Sequence, residues 1–301
     1  MMLARGLSAF PVTPADAAGR VDAIGLRALV ARLVEARVDS IGLLGSTGIY
    51  MYLSREERRR AIETAMDETK GRLPIIVGVG ALRTDEAVRL AQDAKAIGAA
   101  AGLLSVPSYT PLTEDEVFEH VSAVAGESGL ALVLYDNPST THFAFTPGLV
   151  ARLAQVPGIV AIKNPAWTAQ DAPGLLARQR ALVPAGFSIG CSGDWLASET
   201  MIAGADAWYS VLGGLFPHIC LKIIRAARDG QADEARRLDA ELAPLWALFR
   251  HYSSLRVIYA LIEMLGICRA DPPRPLLPLA DEARRQVGDM LASLPPGLLD
   301  P

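Results

Sequence analysis

The 301-residue chain has few of the residues that build metal centres and crosslinks, only three cysteines and four histidines. Cys191, Cys220 and Cys268 are far apart and odd in number, which excludes a disulfide framework and fits a reducing compartment. His120, His142, His218 and His251 show neither H-x-H nor H-E-x-x-H spacing, so no metal site is expected. A basic block is missing too. With a formal net charge of −4, nucleic acid is not an expected partner. No apolar run approaches the ~18 residues of a membrane span without proline or charge interrupting it. The opening Met-Met-Leu-Ala-Arg has no apolar core for a signal peptide. These gaps predict a cytoplasmic location with no membrane partner. What remains is 51% hydrophobic and 21% charged, the composition of a globular protein with ample core.

What is present is an alternation. Short apolar runs begin near residues 6, 40, 73, 101, 130, 158, 187 and 207, and helical patterns fill the intervals. The mid-chain spacing of about 29 residues is one βα unit per repeat. Helix starts are signalled by Asp22, by Thr84 as a cap, and by Thr146 with Pro147 in the first turn. Ser54-Arg-Glu-Glu57 and Thr113-Glu-Asp-Glu116 read as capping boxes. Eight units of this kind predict an α/β fold, a (β/α)8 TIM barrel over residues 1–216. A doubly wound open sheet is the alternative, but the first turn, Phe10-Pro-Val-Thr-Pro14, lacks G-x-G-x-x-G. Residues 217–301 read as helix only, over 219–229, 232–249, 254–265 and 281–294, which predicts a C-terminal helical segment packed on the barrel.

The segment Gly158-Ile-Val-Ala-Ile-Lys163-Asn-Pro165 is a β-branched run that ends on a lysine. Strict alternation places Ile159, Ala161 and Lys163 on one face, and Val160 and Ile162 on the other. The amine therefore sits at the carboxyl end of a strand, where parallel α/β proteins do their chemistry. Two readings stand: a side chain that snorkels to water, or a buried amine that loses its proton and becomes a nucleophile. Tyr135 ends the fifth strand in phase with Val133 and Ala131, either as a core aromatic or as a phenol that moves a proton. Gly45-Ser46-Thr47-Gly48 is either an ordinary turn or a cradle of hydroxyl and backbone N–H groups for an anion. Tyr109, in the loop after the fourth strand, reads as a packing residue at an interface or lid. His142 follows the fifth strand and is a candidate substrate contact. His120 falls mid-helix, facing solvent. Asp194 reads as a helix cap rather than an acid catalyst.

Taken in order, these segments resemble the dihydrodipicolinate synthase / N-acetylneuraminate lyase family of Schiff-base lyases. The resemblance rests on Phe10-Pro-Val-Thr-Pro14, Gly45-Ser-Thr-Gly48, Pro107-Ser-Tyr109, Tyr135-Asp-Asn-Pro138, Ile162-Lys163 and Ser192-Gly-Asp194. Pro273-Arg-Pro-Leu-Leu resembles the final segment too, so that almost the whole chain is covered. The resemblance implies an imine between Lys163 and the keto carbon of a 2-oxo acid, with pyruvate as donor or product. It implies that Ser46, Thr47, Gly48 and nearby N–H groups hold the substrate carboxylate. Tyr135 would move the proton, in a relay with Ser46 and with Tyr109 lent by a neighbouring subunit of a homotetramer. The Tyr209 carbonyl would face the lysine. No metal and no organic cofactor are implied.

Three positions depart from the family pattern. Thr140 stands where the synthase proper carries a carboxylate-binding arginine, Ser108 replaces an aromatic, and Ile49 replaces an acidic residue. They lead to a synthase-like aldolase, lyase, dehydratase or deaminase as the first reading and the synthase proper as the second. By position, Asn137, Thr140, Thr141 and His142 are expected to set the second substrate. A metal-dependent aldolase on the same barrel lacks ligands here, and a barrel that has lost turnover is the third class.

Overall fold

The computed structural model describes residues 4–299. The first three residues of the signal-peptide expectation lie outside them, as do the outermost ends of the two segments. Eight parallel strands close into a barrel: β1 (Gly6–Ala9), β2 (Ser40–Leu43), β3 (Ile75–Gly78), β4 (Ala101–Leu104), β5 (Leu132–Tyr135), β6 (Ile159–Pro165), β7 (Ser188–Ser192) and β8 (Ala207–Ser210). Each pairs with the next, and β8 returns to β1. The fold is the expected (β/α)8 barrel with a helical C-terminal part. Between the strands lie α1 (Ala23–Ala36), α2 (Arg55–Thr69), α3 (Thr84–Ile97), α4 (Glu114–Ser128), the short α5 (Pro138–Thr141), α6 (Pro147–Leu153), α7 (Ala172–Leu182) and α8 (Asp194–Ile202). After β8 come α9 (Pro217–Arg228), α10 (Ala232–Glu241), α11 (Ala243–Tyr252), α12 (Ser254–Met264) and α13 (Asp281–Ser293). The expected divide at 216/217 falls just before α9, which packs on β1, α1 and α8 as well as on α10.

Alternation along the strands sorts the core into two layers. Phe10, Ile76, Leu103, Val133, Tyr135, Ala161, Ala207 and Tyr209 fill the barrel interior, while Leu7, Ile41, Ile75, Leu134, Ile162 and Trp208 pack under the helices. The expected face of β6 needs one correction. Leu132 pairs with Ile159 and Val133 with Ala161, so Val160 is an extra residue at a bulge. The bulge turns Ile159 to the outer layer and lets Val160 touch the inner one. Alternation holds from Ala161 onward, and Lys163 still faces inward.

Local signals at the helix ends differ in part from expectation. Asp22, Thr113 and Thr146 cap their helices through side-chain oxygens, and Thr113 with Glu116 forms the full reciprocal box. The Ser54 box is half formed. Ser54 accepts from the Glu57 N–H, but the Glu57 carboxylate takes the Val21 N–H at 2.7 Å instead. Arg83, not Thr84, is the cap residue of α3, and Thr84 bonds the His120 ring at 3.0 Å. The helix expected over 232–249 is broken at Leu242, because Pro244 has no N–H to continue the ladder and instead sits in the first turn of α11. That break sets the direction of α11 and brings Phe249 to the cavity described below.

Candidate active site at the carboxyl ends of the strands

Lys163 sits at the centre. Its neighbours across the sheet are Tyr135 on β5 and Gly190 on β7. Gly190 is needed there, since a Cβ would stand 2.5 Å from the Tyr209 ring that leans over it. The Lys163 Nζ lies 4.2 Å from the centre of the Phe10 ring, 4.1 Å from that of Tyr135 and 5.8 Å from that of Tyr209. The side chain is only 4% exposed. With three aromatic faces around it the buried ammonium is poorly solvated, and burial lowers its pKa from 10.5 to about 7. The charges of Asp194 and Cys191 oppose that fall. Of the two sequence readings of this lysine, the geometry fits the buried amine.

The Tyr135 phenol lies 3.4 Å from the Ser46 Oγ and accepts a hydrogen bond from Asn137 Nδ2 at 3.1 Å. Burial raises its pKa, and these two bonds pull the other way. Asn137 Nδ2 also donates to the Thr140 Oγ1 at 2.6 Å, linking the phenol to α5. Ser46 and Thr47 reach the cavity because the β2–α2 loop bends sharply, with left-handed backbone at Leu44 and Ile49. A cavity of about 360 Å³ opens here, lined by Phe10, Ser46, Thr47, Tyr135, Lys163 and Tyr209 among others. Asn137 and Thr140 line it from the β5 side, and Phe249, Ser253 and Ser254 from α11 and α12.

Three residues, Gly48, His142 and His120, are placed otherwise than expected. Gly48 does not line the cavity. Its role is packing, since a Cβ would come within 2.8 Å of the Leu44 Cα. His142 is exposed and does not line the cavity, because it ends α5 in a left-handed turn (φ 60°) that carries it away. Tyr109, expected to serve a neighbouring copy, is 98% exposed in the single chain. His120 is half-buried rather than solvated, and burial lowers its pKa.

Asp194 is not a helix cap. Gly193 holds the cap position of α8, and the 2% exposed Asp194 accepts from Trp208 Nε1 at 2.9 Å and from the Leu212 N–H at 2.7 Å. It therefore ties the start of α8 to β8 and to the turn after it, while its charge stays within reach of Lys163. The turn after β8 is a tight one, with the Ser210 Oγ accepting from the Gly213 N–H at 2.8 Å. Phe10 was not foreseen as a site residue, although period-two alternation along β1 already turned it inward. Phe249, Ser253 and Ser254 carried no local signal; only tertiary packing brings them here.

Among the described residues, no group of three or more His, Cys, Asp or Glu side chains is placed to hold a metal ion. No described helix is long and apolar enough to cross a membrane.

Comparison with known proteins adds independent findings. Residues 3–294 match the model of the dihydrodipicolinate synthetase family. A relative from Methylococcus capsulatus, named 4-hydroxy-tetrahydrodipicolinate synthase, is 36% identical over 91% of this chain and 93% of its own. A crystal structure described as dihydrodipicolinate synthase from Agrobacterium tumefaciens superposes with a TM-score of 0.94 at 54% identity, covering 97% of this chain and 98% of that one. A chloride-inhibited dihydrodipicolinate synthase from Acinetobacter baumannii, complexed with pyruvate, gives 0.88 at 30% identity over 96% and 98% of the two chains. The names these relatives carry favour the synthase proper, the reading that the departures at 49, 108 and 140 had placed second.

Proposed function

The chain belongs to the dihydrodipicolinate synthetase family, an enzyme family of lyases, and we propose that it works through an imine between Lys163 and a 2-oxo acid, pyruvate first among them. The observation that carries this reading is the placement of Lys163: an amine buried against three aromatic rings, its pKa brought down to about 7, at the floor of a cavity. The neutral amine adds to the keto carbon and forms a carbinolamine. Tyr135 then supplies the proton with which the hydroxyl departs as water, leaving the iminium. The iminium is an electron sink. Loss of a proton from the adjacent carbon gives an enamine, which forms a carbon–carbon bond to an aldehyde, or the reverse steps break one.

Each neighbour has a role in this scheme. Ser46, 3.4 Å from the phenol, is the next station for the proton. Ser46 and Thr47 hold the substrate carboxylate, so that the keto carbon meets the amine in line for attack. Tyr209 lies along the inner wall. Tyr109 completes the proton relay from a neighbouring copy, and its 98% exposure is what supports an assembly that covers it, a homotetramer. The chemistry calls for no metal and no organic cofactor, and the protein acts in the cytoplasm on small molecules.

For the second substrate, the relatives' names support synthesis of 4-hydroxy-tetrahydrodipicolinate. One observation favours another electrophile: Thr140, exposed at the cavity edge and held by Asn137, has no charge with which to bind a carboxylate. Borohydride reduction in the presence of pyruvate, followed by peptide mapping, tests the imine. A mass increment on the peptide bearing Lys163 is expected, indifferent to EDTA, and its absence would remove the proposal. A coupled screen of aldehydes and hydroxylated 2-oxo acids then decides between the two electrophile readings.

A further inference from the structure

A second cavity of about 350 Å³ adjoins the first, and Ser46, Thr47, Thr140, Ser253 and Ser254 line both. The two are compartments of one cleft. Only three residues among all those lining them carry a charged side chain: Lys163 and Asp194 in the first and Arg256 in the second. Asp194 has both oxygens engaged by Trp208 and Leu212. Lys163 is taken up by the reaction. Arg256 is half-buried and, among the described residues, makes no ion pair and no side-chain hydrogen bond.

The backbone around Arg256 is arranged in the same sense. Arg256 lies in the first turn of α12, whose N-terminus has no side-chain cap. Among the described residues, the N–H groups of Ser254, Leu255 and Arg256 have no backbone acceptor, since the first bond into the helix is from Val257 to the Ser253 carbonyl. Ser253 holds a left-handed φ of 74° with ψ of 133°, a costly conformation for a residue with a side chain. That conformation turns the chain sharply between α11 and α12 at the cleft edge. A partly desolvated guanidinium without a counter-charge, next to unpaired helix N–H groups, is a site that gains from an anion.

We propose that Arg256 and the first turn of α12 form the distal anion subsite of this cleft, which receives a carboxylate at the far end of the acceptor molecule. This deepens the imine reading and rests on it for the position of the reacting carbon. Acceptors or cleavage substrates with a remote carboxylate are then favoured over neutral ones of the same length. The charge that Thr140 does not supply from the β5 side comes from α12 instead.

The test uses reductive trapping of 2-oxo acids on the full chain. Pairs of equal length are compared, 2-oxo dicarboxylic acids of five to seven carbons against the matching 2-oxo monocarboxylic acids. Wild type is expected to trap the best dicarboxylic acid at concentrations roughly 10- to 100-fold lower than its neutral-ended partner. Arg256→Gln abolishes that preference, Arg256→Lys keeps part of it, and pyruvate is trapped equally by all three. No preference in wild type, or one that survives Arg256→Gln, would overturn the subsite. Failure of pyruvate to label Lys163 in wild type is a different result and strikes the imine reading. In that event calorimetry with glutarate decides the subsite by itself: binding that Arg256→Gln weakens tenfold or more supports it, and equal or absent binding refutes it.

Discussion

Among the described residues two cationic side chains are buried, Lys163 at 4% exposure and Arg58 at 6%, and they are built in opposite ways. Arg58, on α2, donates to the Gly80 carbonyl at 3.2 Å and lies 5.2 Å from the centre of the Tyr50 ring. Burial lowers its pKa, but from a value so high that it stays charged. Lys163 also faces aromatic rings, yet among the described residues it has no hydrogen-bond acceptor. Cation–π attraction contributes about 0.5–2 kcal/mol toward an ammonium. A fall in pKa from 10.5 to about 7 opposes it by roughly 5 kcal/mol, so desolvation wins. The same kind of aromatic wall therefore holds one cation as structure and leaves the other as a base. The difference is a carbonyl partner and the choice of guanidinium or amine.

The contrast breaks most severely if the amine is made into a guanidinium. Lys163→Arg cannot deprotonate, and pyruvate turnover or trapping is expected to fall at least ~1,000-fold. Tyr135→Phe removes the phenol that lies 3.4 Å from Ser46; loss of a positioned acid–base group costs about 100-fold in the rate of imine formation, measured by single-turnover trapping.

Asp194→Asn sharpens the comparison through pH. The Asp194 charge favours the ammonium, so its removal lowers the pKa of Lys163 further. The rising limb of trapping rate against pH, centred near 7 in wild type, is then expected to move to more acid pH. An unchanged limb would show that the carboxylate does not reach the amine. Arg58→Met has the smallest effect on chemistry. It leaves the Gly80 carbonyl without that donor and costs about 1–3 kcal/mol in denaturant unfolding, while the trapping rate stays within about threefold.

The barrel and its central residues were legible in the sequence because both follow from short-range rules. Strand spacing counted the βα units, and parity set Tyr135 and Lys163 facing inward on neighbouring strands. Parity failed at Ile159, where an inserted residue resets the phase, and sequence alone carries no mark of a bulge. Helix signals failed where a side chain found a better partner at long range. Glu57 left its box for the Val21 N–H, and Thr84 left its cap position for the His120 ring. The far wall of the cleft was illegible for the same reason. Phe249, Ser253 and Arg256 reach it only because Pro244 breaks one helix and Ser253 turns the chain between the next two. His142 shows the reverse error, since nearness in sequence to Tyr135 did not survive one left-handed residue.

The central claim is that Lys163 loses its proton near pH 7 in the resting protein, so that a large fraction of it is neutral amine there. Titration of the protein labelled with carbon-13 at the lysine Cε, with the Lys163 signal assigned by its absence from Lys163→Arg, measures this without any substrate. A midpoint near 7 is the expected result. A midpoint close to 10.5, the ordinary lysine value, would contradict the account.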